Sequence, residues 1–278
     1  MMAKETDIPV GHIGRCIYDP SHPGPFTDEH ILADGLGGEF MLTNASCLIC
    51  QAKINTQIEQ PIMMRMMKAI RYRRDIGTRG INKRPPNLPV FKPREVGNTA
   101  SENLSDIADW ERIDLPRKEH PSLLVLPVLN QPEFFRDFAP PSTKPWFQGM
   151  WQHIEPSPHR GADGVPIKTQ TKFNVEVFCR LIAKTAHCAA VQKFGLDGFT
   201  PFLTDIILGN DLSKVSHLIG CRSVGEPPAA SHYEIFFGQP RNPNLSKYIL
   251  CSVRIFADLG APSYLAVVGE RRLQPENI

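Results

Sequence analysis

The stretch TDEHILADGLGG, residues 27–38, decides how the N-terminal part is read. Asp28 and Glu29 stand directly against His30, and a turn-rich loop with a double glycine follows. An acidic turn is the ordinary reading of such a cluster. The alternative is a metal ligand beside a general base, because a carboxylate binds hard cations and an imidazole can take a proton near neutral pH.

The flanks favour the second reading. The apolar and β-branched residues of FTDEHIL predict a short strand, and EFMLTNASC predicts another on the far side of the loop. The sequence CLIC at 47–50 is a CxxC knuckle, a spacing that lets two thiolates grip one tetrahedral zinc. Upstream, CIYDPSH supplies Cys16, then Asp19 where a second cysteine would sit, then His22. A zinc site of Cys16, Cys47, Cys50 and either Asp19 or His22 is therefore expected. From 47 onward Ile49, Ile54, Ile58, Ile62, Met66 and Ile70 recur at helical spacing, with Ser46 as a candidate cap.

In this order, Cys16, DEH, LGG, LTNASC, CLICQAKIN and IE, residues 16–60 resemble the HNH endonucleases. The resemblance covers about one sixth of the chain. It implies a ββα-metal fold and metal-dependent hydrolysis of phosphodiester bonds, in DNA rather than RNA. It also implies His30 as general base, Asn44 as the residue orienting it, and Glu29 as a ligand of a catalytic Mg2+ or Mn2+. Gln51 falls at the position of a further metal ligand, and Asn55, one helical turn on, shares its face. Asp19 and Gln51 depart from the family pattern. An inactive, zinc-stabilised nucleic-acid-binding protein is therefore the alternative reading.

A basic run follows. Between residues 65 and 94 lie ten basic residues and Asp75 as the one acid, although the whole chain carries a net charge of only +2. Arg65, Lys68, Arg71, Arg73, Arg74, Arg79, Lys83 and Arg84 are the candidate phosphate contacts, with Tyr72 among them as a stacking candidate. A solvated helix face is the plain alternative for such a run.

The chain of 278 residues is 41% apolar and 22% charged, ordinary for a globular protein. The N-terminus lacks an apolar signal region and no run is long enough to span a membrane, so a cytoplasmic protein with reduced cysteines is expected. Cys179, Cys188, Cys221 and Cys251 lie mostly in apolar runs and read as core thiols. Neither a Walker nor a Rossmann phosphate motif occurs.

The expected fold class is α+β. Residues 1–95 form the HNH unit and its basic arm, 96–130 a linker and first strand, and 131–278 an α+β accessory domain. The resemblance implies that such a domain recognises, regulates or dimerises; a homodimer would pair two single-strand cutters. Its elements are a helix at 174–195 ending at Gly195, a shorter helix at 200–209 with Pro201 near its start, and a three-stranded antiparallel meander from 232. SLLVLPVL at 122–129 predicts a buried strand, and 95–122 a peripheral linker. His187, His217 and His232 read as interior or interface groups.

Overall fold

The computed structural model describes residues 8–77, 84–93, 110–137, 145–157, 172–238, 240 and 242–272. The expected contacts Arg79 and Lys83 lie outside them. Helices and antiparallel sheets make this an α+β protein.

The two strands around the opening motif form as their composition predicts. β1 (Ile8–His12) runs parallel to β3 (Phe40–Cys47), which pairs antiparallel with β2 (Phe26–His30). Glu29 faces Leu42 across the pair and His30 faces Met41. The double glycine shapes the loop between them. Gly37 closes a 3-10 turn, Asp34–Leu36, at φ 85°, and a Cβ on Gly38 would lie 1.8 Å from the Leu32 carbonyl oxygen.

β3 runs straight into α1 (Leu48–Ile54). The cap is Cys47, whose Sγ accepts from the Cys50 amide, and not Ser46 as expected. Ser46 still belongs to the strand and is fully buried. Two π-helical turns, Asn55–Glu59 and Ile62–Met66, follow, and then α2 (Lys68–Arg73). The sequence explains the widening. Ile54, Ile58, Ile62, Met66 and Ile70 are all buried at a strict spacing of four. In an α-helix each such step overshoots a full turn by roughly 40°, so the stripe would wind off the core. The wider π turns absorb that overshoot. Ile49, off this register, is 69% exposed.

Strand pairing organises much of the remaining described residues. β4 (Asn87–Pro93) pairs antiparallel with β5 (Trp110–Pro116), so part of the expected linker is strand. Glu111, Ile113 and Leu115 are half-buried in alternation with exposed neighbours, the mark of one covered face. β6 (Ser122–Leu129) pairs with β7 (Phe147–Glu155). The predicted long helix is α3 (Val175–Phe194), capped by the Asn174 side chain and followed by Gly195 at φ 73°. The shorter one is smaller than expected. Pro201 lies in β8 (Phe199–Pro201), and the helix is only α4 (Thr204–Leu208). Proline fits an outer strand because it has no N–H to offer a ladder. After α5 (Val215–Leu218) and β9 (Ile219–Ser223), the meander forms as predicted from β10 (Tyr233–Gly238), β11 (Tyr248–Ile255) and β12 (Ser263–Arg271). Sheet order is β10-β11-β12-β8, with β9 also on β12.

α3 is buried on every side from Phe178 to Val191. Its buried side chains join those of Cys16–Ile70 and of the meander in one contiguous core, so the sequence boundary at 95 is not a gap in packing. No helix among the described residues is long and apolar enough to cross a membrane.

Candidate functional site

The fold brings the cysteine cluster together at the β2–β3–α1 corner. Cys16 precedes β2, Cys47 ends β3, and Cys50 lies in the first turn of α1. The donor atoms of Cys16, His22, Cys47 and Cys50 lie within 4.8 Å of one another. His22 Nδ1 is 3.3 Å from Cys47 Sγ and 3.4 Å from Cys50 Sγ. Tetrahedral zinc, with Zn–S of about 2.3 Å and Zn–N of about 2.0 Å, places such atoms about 3.5 Å apart. The donor set thus fits a metal such as zinc.

The other imidazole nitrogen, Nε2, is 3.2 Å from Asp19 Oδ2. Asp19 in turn accepts from the Ser21 amide and hydroxyl, which hold its carboxyl below the ordinary range. Of the two candidates for the fourth position, His22 has the geometry to join the cysteines as a ligand, and Asp19 stands behind it, where carboxylates orient metal-bound histidines. Burial and the neighbouring Cys16 sulfur push the Cys50 thiol up, a crowding that a dication relieves. All seven cysteines are buried free thiols, the four later ones included.

A second, polar feature lies on the helix side of β2. His30, Asp34, Asn55, Glu59, Arg71 and Arg84 line one cleft of about 390 Å³. Asn55 and Glu59 are the two ends of the first π turn and stand four residues apart. π turns recur at functional sites. Arg71 and Arg84 are both buried, and burial lowers the pKa of each, Arg71 to about 10, with Arg84's charge adding to the shift. Arg71 donates to the Gly35 and Met63 carbonyls, and Arg84 to those of Ile76 and Gly77. Carbonyls fix the two guanidiniums, and Arg84 also stands 4.0 Å from Asp75 Oδ1.

Glu29 is not in this cleft. Adjacent residues on a strand point to opposite faces, so His30 faces the cleft and Glu29 faces α3. There Glu29 Oε1 is 2.7 Å from Lys184 Nζ, and Glu59 Oε1 is 3.2 Å from the same nitrogen. Burial opposes the Lys184 charge, but the two carboxylates outweigh it and lift the ammonium above its ordinary range. Burial also raises the Glu29 carboxyl, with Lys184 pulling the other way.

Other expected residues are placed differently. Asn44, at φ 51°, pairs its side-chain Nδ2 with His12 Nδ1 at 3.4 Å, and its amide donates to Asp28. It stands three residues along β3 from Met41, the partner of His30, within an irregularity of the pairing. Its contact is with His12, so the expected hold on the His30 imidazole gives way to that pairing. Of the two candidate amides, Asn55 lines the cleft and Gln51 does not.

The basic run divides. Arg65 is exposed and Lys68 half-exposed. Arg73 donates to the His120, Glu155 and Pro156 carbonyls and pairs with Glu155 at 2.9 Å. Arg74 pairs with Asp258 at 2.7 Å. These two arginines join the N-terminal helix to β7 and to the meander, which corrects their reading as free phosphate contacts. Tyr72 is buried with the Arg84 guanidinium over its ring at 5.1 Å. His187 bonds the Ile17 carbonyl, and His232 the Asp258 carboxylate, as interior groups do.

The sequence reading assigned no role to Asp34, Glu59 or Lys184. Glu59 was within reach of the argument that found Asn55, since both share a helix face. Comparison with family models, with characterised proteins and with solved structures finds no significant match for this chain.

Proposed function

We propose that this chain is a metal-dependent, HNH-type endonuclease that hydrolyses phosphodiester bonds in DNA. The observation that carries the reading is the convergence of His30, Asn55 and Glu59 in one cleft that the buried Arg71 and Arg84 also line. Phosphodiester hydrolysis needs a base for the attacking water, charge neutralisation at the phosphate, and a fixed geometry.

His30 takes the proton from the attacking water. Arg71 and Arg84 bind the phosphate of the substrate, held rigid by their carbonyl partners. Glu59 and Asn55, with Asp34 at the rim, offer the hard oxygen donors that suit Mg2+ or Mn2+. Bound there, the ion supplies charge neutralisation at the scissile phosphate. Zinc held by Cys16, His22, Cys47 and Cys50 staples the corner from which β2 and α1 diverge. Arg65 and Lys68 extend the positive surface toward the nucleic acid, and a homodimer presents two such clefts.

The test is cleavage of supercoiled plasmid in Mg2+ by the wild type and by His30→Ala at equal zinc content. We expect cutting by the wild type, abolished by EDTA, and a loss of at least 100-fold in the variant. If neither protein cuts while both retard DNA, the chain is a zinc-stabilised binding protein instead. If RNA is cut and DNA is not, the substrate assignment is wrong.

A further inference from the structure

We propose that Lys184, contributed by α3 from the far half of the chain, is a positioning residue of the cleft, tying the Glu59 carboxylate and the backbone of His30 to one point. The proposal rests on the nuclease reading above.

Lys184 is fully buried. Its ammonium is 2.7 Å from Glu29 Oε1 and 3.2 Å from Glu59 Oε1, and it donates to the His30 carbonyl. Three acceptors take up the three N–H bonds of an ammonium, so the group has no freedom left. A buried ion pair is weak evidence for stability, because apolar replacements of similar volume often serve as well. This one joins a carboxylate and a strand end that both line the cleft.

The charges also divide the labour. Glu29, on the covered face of β2, neutralises the ammonium. Glu59 is the more exposed of the two acids, so the remaining negative charge of the triad faces the cleft. α3 touches the zinc corner as well, through His187 on the Ile17 carbonyl and Cys188 Sγ 3.4 Å from the Tyr18 hydroxyl. One helix thus references both parts of the N-terminal unit.

Lys184→Met alone strands two carboxylates in the interior and is expected to fold poorly. The informative protein is Lys184→Met/Glu29→Gln, which removes the cation together with its buried counter-charge at nearly constant volume. Bound zinc and thermal unfolding report its fold, DNA retardation its binding, and single-turnover cleavage its chemistry. We expect a folded, zinc-loaded protein that binds DNA within about threefold of the wild type and cleaves roughly 100-fold more slowly, the loss that a displacement of about 1 Å produces. A folded double variant that cleaves at the wild-type rate overturns the proposal.

A second readout does not depend on activity. In 15N-histidine NMR spectra, the His30 ring signals, assigned with His30→Gln, are expected to move in the double variant. Unmoved His30 signals overturn the proposal. If the wild type itself does not cleave, the nuclease reading fails, and these signals alone decide whether Lys184 positions His30.

Discussion

Asp19 shows what a single residue adds once its surroundings are known. Sequence spacing left Asp19 and His22 equally able to complete the cysteine set, because both are zinc ligands by chemistry. Geometry separates them, since one imidazole nitrogen faces the sulfurs and the other faces Asp19. Asp19→Asn is therefore expected to weaken zinc by about 10–100-fold in competition with a chelator, the usual cost of losing the carboxylate behind a ligand. An unchanged affinity would show that Asp19 orients nothing. Glu29 and His30 teach the converse. Their adjacency suggested one site, yet two neighbours on a strand cannot serve the same face. That rule was available from sequence, and applying it to β2 would have moved the search for an acid to the helix and to Glu59.

At the scale of elements, the helical run was legible because its signal is local and repeated. The strict spacing of four also carried the π turns, in the mismatch between that spacing and an α-helical turn. Ile58→Ala, at a fully buried position, is expected to cost about 2–5 kcal/mol in urea unfolding. Ile49→Ala, at a position 69% exposed, is expected to stay within about 0.5 kcal/mol. Equal costs at the two positions would contradict the stripe. The basic run was legible as charge but not as destination. Whether an arginine meets phosphate or a carbonyl depends on what packs over it, and Arg73 and Arg74 meet β7 and the meander, elements far along the chain. β5 went unseen for the same reason, because its partner β4 lies across a long polar stretch.

For the whole molecule, length allowed one large domain or two modest ones, and the buried side chains of the described residues form one contiguous core across the expected boundary at 95. Lys184 could not have been read as part of a site near His30, because 154 residues separate the two. The shared core makes a prediction of its own. If the Cys16, His22, Cys47 and Cys50 set holds zinc as proposed, its chelation is expected to lower the stability of the entire chain and leave a single cooperative thermal transition, not to melt the N-terminal part alone. Two transitions in calorimetry would show that the halves fold independently. The central claim is that the cleft holding His30, Asn55 and Glu59 is where a phosphodiester is broken. Single-turnover cleavage of plasmid DNA in Mg2+ by wild type, Asn55→Ala and Gln51→Ala tests it most directly. The account predicts a loss of about 100-fold at Asn55 and a rate within about threefold of wild type at Gln51, since Gln51 lies outside the cleft. Loss at Gln51 with Asn55 silent, or no cleavage by the wild type, would contradict it.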